Sequence, residues 1–174
     1  MKKYLALVAV AVLGVGLSVA NIGDQDNVGS TELSEEDVEF LNSMIAHHES
    51  AIEMAELVDE HTEREELLDL SEEVMVVQKQ EIKYMENLLE EEEVDQQDMM
   101  MHQMHIEYLE DLEGGEFDLA FLSFMGSHHY ESLIESQQII DQGSSEEVKT
   151  FAEEIVETQE EEIRQMYVWY LEWS

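Results

Sequence analysis

The sequence predicts an all-α protein: an antiparallel four-helix bundle made of two repeated helical hairpins, with an additional short Met/His-rich helix between them. Three observations predict it. Apolar residues recur at helical spacing in four long segments, and no segment sustains the alternation of a strand. Capping signals precede three of those segments. Two separate motifs recur at one common offset: Phe40-Leu41-x-x-Met44-x-x-His47-His48 returns as Phe121-Leu122-x-x-Met125-x-x-His128-His129, and Gln78-x-x-Glu81-Ile82-x-x-Met85 returns as Gln159-x-x-Glu162-Ile163-x-x-Met166, both 81 residues later. A hairpin whose apolar stripe lies on one side cannot bury it alone, so two equivalent hairpins are expected to pack together.

Taken in chain order, residues 1–20 read as a secretory signal. Lys2 and Lys3 form a basic start, Leu5 to Val19 is an apolar or small-residue run, and Ser18-Val19-Ala20 offers the small residues a signal peptidase needs, with cleavage after Ala20. The alternative is an uncleaved N-terminal anchor, although the run falls short of the ~20 residues that span a bilayer. Residues 21–33 lack periodicity and read as a flexible tether, and 34–174 form the bundle domain. Repeat one, 35–91, holds helices expected over 35–59 and 64–91. The connector, 95–115, carries a shorter helix at about 98–112. Repeat two, 116–172, holds helices expected over 117–141 and 145–172. Ser34 with Asp37, Thr62 with Glu65 and Ser144 with Glu147 are the expected caps, and Gly114-Gly115 and Gly143 the expected helix ends.

Composition removes several functions. The chain has 174 residues, no Cys and no Pro, and 44 acidic against 7 basic side chains, for a formal charge of −37. Without Cys there is no disulfide framework, zinc finger, thiol nucleophile or iron–sulfur cluster. So negative a surface repels phosphate backbones and anionic headgroups, which disfavours nucleic acid and membrane as partners. Cleavage after Ala20 removes two Lys and no acid, leaving −39 over 154 residues.

Residues three and four apart share a helix face, so Met44, His47 and His48 form one patch and Met125, His128 and His129 its copy. Adjacent residues diverge by about 100°, so one imidazole of each pair is expected in the core and the other at its edge. Glu81 and Glu162, on the partner helices, are placed to accept a hydrogen bond from an imidazole, fixing its tautomer while the other nitrogen binds a metal. A third cluster, Met99, Met100, Met101, His102, Met104 and His105, lies in the connector. Thioether is a soft, neutral ligand that selects Cu(I) and, by the same softness, Ag(I), and imidazole suits copper in either oxidation state. Met with His and no Cys is therefore the ligand set expected for copper. Met54, Met75, Met85 and Met166 read as core filling, and His61, in the turn between the first two helices, as a surface residue. The acids at 90–93 read as a solvated helix end.

Enzyme readings fare poorly. A ferritin-like di-iron centre needs Glu-x-x-His, which no position supplies, and there is no Gly-x-Ser-x-Gly elbow, phosphate loop or His-Glu-x-x-His.

Phe40 through Ala55, with the following Ala51-Ile52-x-Met54-Ala55, resembles the signature of domain of unknown function family 305, which includes CopM-type copper-binding proteins. The resemblance covers about residues 35–172 and takes in both His-His motifs, the Gln-x-x-Glu-Ile-x-x-Met motifs, the Met-rich connector and the closing Trp169-Tyr170-Leu171. It implies a ferritin-like four-helix bundle, an extracytoplasmic location (periplasmic or secreted), and binding of Cu(I), with Cu(II) and Ag(I) as further ions, in copper tolerance or trafficking. The matching positions are Met44, His47, His48 and Met54 in the first repeat and Met125, His128 and His129 in the second. The second repeat departs from the pattern: Ser132-Leu133-Ile134-Glu135-Ser136 lacks the motif's second Met, and Gly126 stands where a bulkier residue is usual.

The leading expectation is thus a non-enzymatic exported protein that sequesters copper or hands it to a transfer partner. The competing one is an acidic structural or interaction bundle without a tight metal site, whose faces meet a basic partner. The carboxylate surface with few Lys is further expected of a protein kept soluble in high salt, where self-repulsion is screened.

Overall fold

The computed structural model describes residues 33–89 and 100–174, with Met100, Met101 and His102 described as helix backbone only. The expected signal segment, the tether up to residue 32, the acids at 90–93 and Met99 lie outside the described residues. Among the described residues all regular structure is helical: α1 (Glu35–Glu56), α2 (Val58–His61), α3 (Glu65–Leu89), α4 (Met100–Glu110), α5 (Gly114–Gln142) and α6 (Glu146–Trp173).

Helix α1 starts as its sequence dictates. The Ser34 hydroxyl accepts the Asp37 N–H while the Asp37 carboxylate accepts the Ser34 N–H, a reciprocal capping box. The single helix expected over 35–59 is broken at Leu57, whose N–H turns back to the Met54 carbonyl and tightens the last turn. The Thr62 hydroxyl accepts from the Arg64 N–H and so turns the chain into α3. At the other turn the cap falls one residue later than expected: Ser145, not Ser144, accepts the Val148 N–H, because the Ser144 hydroxyl is committed to Asp37. Gly114-Gly115, expected to close the preceding helix, instead opens α5, with Gly114 in the left-handed region (φ 56°) that only glycine enters freely.

α1 and α3 form one antiparallel hairpin and α5 and α6 the other, and the hairpins meet along α1 and α5, which also run antiparallel. One apolar cluster gathers the start of α1 with the ends of α3 and α5 and the start of α6, around Phe40, Met44, Met85, Ile139 and Ile155. A second gathers the opposite ends with Leu109 of α4, around Met54, Leu67, Phe117, Phe121, Met125 and Met166. Burying side chains of this size supplies about 1.5–3 kcal/mol each, which is what holds the hairpins together.

Two equivalent aspartates tie each hairpin to the turn of the other. Asp37, fully buried, takes the Ser144 hydroxyl at 2.8 Å and the Ser144 and Ser145 N–H groups. Asp118, 81 residues on, takes the Arg64 guanidinium at 2.7 Å, and Arg64 in turn lies 3.9 Å over the Trp173 ring. His61, expected at the surface, is half-buried and engaged: its Nδ1–H donates to the Leu112 carbonyl at 2.6 Å and its ring stacks on Phe117, fastening the end of the connector.

Candidate metal centre

Between the two apolar clusters lies a buried polar layer, and the repeated motifs supply it. His47, His48, Gln78, His128, His129, Ser132 and Gln159 are all at most 5% exposed. The expectation that one imidazole of each pair reaches the edge is overturned. Each first helix has two neighbours, and the 100° between adjacent side chains aims one imidazole at each of them. His48 faces α3 and His129 faces α6, where they meet their acids: His48 Nε2 lies 2.8 Å from Glu81, and His129 Nε2 lies 2.7 Å from Glu162. His47 and His128 face each other across the α1–α5 seam with ring centroids 3.6 Å apart, and the Ser50 hydroxyl lies 2.9 Å from His128 Nε2.

The carboxylates set the chemistry of His48 and His129. An imidazole whose Nε2–H is donated to a carboxylate presents a lone pair at Nδ1, and both Nδ1 atoms are buried without a hydrogen-bond partner. One turn back on the same helices, Met44 and Met125 are fully buried, Met44 in one apolar cluster and Met125 in the other. Glu73 on α3 approaches Glu162 on α6; burial first, and then that like charge, push its carboxyl above the ordinary range. Among the described residues no three His, Asp or Glu side chains converge on a point that would hold a metal ion. The available donors are thus imidazole nitrogens and thioethers, which suit an ion content with few soft ligands and not a hard, many-coordinate one.

The remaining predicted residues whose side chains are described lie apart from this layer. Met54, Met85 and Met166 are core, and Met75 packs against it. Of the connector's Met and His residues, the two with described side chains part: Met104 is 63% exposed, while His105 turns inward and stacks on Phe124 at 4.2 Å. Sequence reading missed Asp118 and Phe124. Asp118 carried a signal, since Asp37-x-x-Phe40-Leu41 and Asp118-x-x-Phe121-Leu122 share the 81-residue offset.

The fold and this layer define a class, an all-helical protein of two hairpins with a repeated Met/His motif at its centre. The profile for "Domain of unknown function (DUF305)" matches residues 37–170, and the chain belongs to that family. No curated protein matches it. Among solved structures, CopM in its Cu(II)-bound form is 27% identical, covers 79% of this chain and 97% of its own, and superposes with a TM-score of 0.71. CopM in its Cu(I)-bound form, also 27% identical, covers 79% and 96% with a TM-score of 0.70. A candidate secreted protein of the family from Streptomyces coelicolor is 24% identical, covers 79% and 92%, and reaches 0.72, a likeness of fold. No helix among the described residues is long and apolar enough to cross a membrane.

Proposed function

We propose that this protein is an exported, non-enzymatic copper carrier on a ferritin-like four-helix bundle, holding Cu(I) as cargo through Met/His sites in copper tolerance or trafficking. The observation that carries the reading is the pair of buried imidazoles, His48 and His129, each anchored at Nε2 by a carboxylate and bare at Nδ1, one turn from a buried Met. A buried acceptor left without a donor costs about 1–3 kcal/mol, and a bound soft cation would relieve that cost. The similarity to CopM, solved with Cu(I), Cu(II) and Ag, supports the same cargo. His47, His48, His128 and His129, with Met44 and Met125, are the residues that would hold it. Met54 and the connector residues Met99, Met100, Met101, His102, Met104 and His105 are further candidate ligands. Glu81 and Glu162 would orient their imidazoles. Export follows from the signal-like residues 1–20, and delivery to a transfer partner from the carrier role.

Titration of residues 21–174 with Cu(I) against a competing chelator tests this. Tight binding is expected, with a loss of at least about tenfold in affinity when the four histidines are replaced by Ala, the size of effect that removal of metal-site groups produces. Affinity unmoved by those replacements would remove the assignment. The carboxylate-rich surface, with 44 acidic against 7 basic side chains in the chain, supports a second reading, an acidic interaction bundle. That reading expects no tight Cu(I) binding and capture of a basic partner that weakens with salt.

A further inference from the structure

The 81-residue offset makes every contact across the α1–α5 seam comparable with its image. Ser43 on α1 donates to the Glu135 carboxylate on α5 at 2.8 Å. The image of Ser43 is Phe124 and the image of Glu135 is Met54, so the two ends of the seam that flank the His47–His128 pair carry opposite chemistry. At one end Met54 is fully buried, Phe124 packs against the same apolar cluster, and α4 lies over them with His105 stacked on Phe124 and Tyr108 edge-on to it. At the other end, a hydroxyl and a carboxylate, both half-buried, bridge the helices one turn from His47. His47 is also the most exposed of the four imidazoles, at 5%. Glu135 is thus the position where the second repeat drops its Met, and the replacement puts an anion at the seam instead of a thioether.

We propose that cationic cargo reaches the His47–His128 pair through the Ser43–Glu135 end of the seam, with the Glu135 carboxylate as its first fixed anionic contact, while the end under α4 is closed by Phe124 and Met54. A carboxylate held at the mouth of a cleft raises the local cation concentration and with it the association rate. It acts on passage and not on the bound state, so it speeds loading and release alike. This rests on the copper-carrier reading and names the route to that same site.

The test is kinetic. Residues 21–174 are mixed with the Cu(I)–acetonitrile complex, quenched at timed intervals with excess bicinchoninate, and the protected copper is counted; equilibrium affinity is measured in parallel. Glu135→Gln is expected to slow loading roughly threefold or more, with affinity and stoichiometry unchanged. Ser43→Ala, which leaves the carboxylate but frees it, slows loading less. The exposed Glu157→Gln, with the same loss of charge, leaves the rate unaltered. A wild-type loading rate in Glu135→Gln overturns the proposal, as does a loss of affinity, which would make Glu135 a ligand. Faster loading in Phe124→Ala with no change in Glu135→Gln moves the route to the α4 end and overturns it too. No tight Cu(I) binding at equilibrium by the unaltered protein overturns the carrier reading and this route with it.

Discussion

The two hairpins place the same residues in the same layer yet complete it differently. In the second, the Ser132 hydroxyl donates to the Gln159 carbonyl oxygen; in the first, the equivalent of Ser132 is Ala51, and the Gln78 oxygen is buried with no partner. In the first, Ile45 fills the core beside the motif; in the second its image is Gly126, beside which an added Cβ would meet nothing within 4 Å. At the turns, Asp37 is satisfied by serines and backbone, whereas Asp118 has a half-exposed arginine at Oδ2 and a buried Oδ1 with no hydrogen-bond partner. A duplicated scaffold has therefore kept its imidazole–carboxylate pairs and let the surrounding packing diverge. Within the layer the first half leaves the Gln78 oxygen unmet, and the second has the looser helix.

The largest effect that tests this comparison is at the paired phenylalanines. Phe121→Ala, at a fully buried site, is expected to cost about 3–5 kcal/mol. Phe40→Ala, at a site still 6% exposed, is expected to cost less, read from urea midpoints at fixed slope. Equal losses would mean that the clusters are energetically equivalent. Next come the aspartates. Asp37→Ala leaves two serines and a turn without their acceptor and is expected to cost about 2–3 kcal/mol, whereas Asp118→Ala, whose arginine can turn to water, should cost about 1 kcal/mol.

Burial pushes the Asp37 carboxyl up, but the hydrogen bonds from Ser34, Ser144 and Ser145 together outweigh it and hold it below the ordinary carboxylate range. The folded state therefore binds that proton less readily than the unfolded chain. The stabilisation is complete above the unfolded carboxylate value and is lost as pH falls through the lowered folded one. Asp37→Asn should accordingly flatten the acid limb of a stability–pH curve, and an unchanged limb would assign acid unfolding to other carboxylates.

Exchange of the layer's one-atom difference gives a smaller effect. Ser132→Ala should cost about 1–2 kcal/mol by leaving the Gln159 oxygen bare, and Ala51→Ser should recover up to about 1 kcal/mol by satisfying Gln78. Opposite signs in thermal melts would establish that the hairpins differ by this hydroxyl. Smallest is Gly126→Ala, expected to stabilise α5 by about 0.5–1 kcal/mol since the site is open and helical. Its counterpart, Gly143→Ala, should destabilise, because the new Cβ would stand 2.7 Å from the Ile139 carbonyl and 2.8 Å from Asp37.

Much of this was legible in one dimension. Helical periodicity, the Ser34 cap and the 81-residue offset together dictate helices, hairpins and the equivalence of His47-His48 with His128-His129, because those signals depend only on local geometry and on comparing the chain with itself. Glu81 and Glu162 could be matched with imidazoles for the same reason: one stripe must face the other across a hairpin. The direction of each histidine within its pair was out of reach. Whether the second imidazole meets solvent or a third helix depends on how the hairpins dock, and docking is settled by the fit of whole faces around Phe40, Phe121 and their neighbours. The same holds for His61, turned inward by the connector's carbonyl, for Asp37 and Asp118 reaching across to the opposite turn, and for Met104 and His105, parted by the line along which α4 lies. Sequence sets which side chains share a face. Only the packed structure decides what that face meets, since burial and partner are properties of the space between elements.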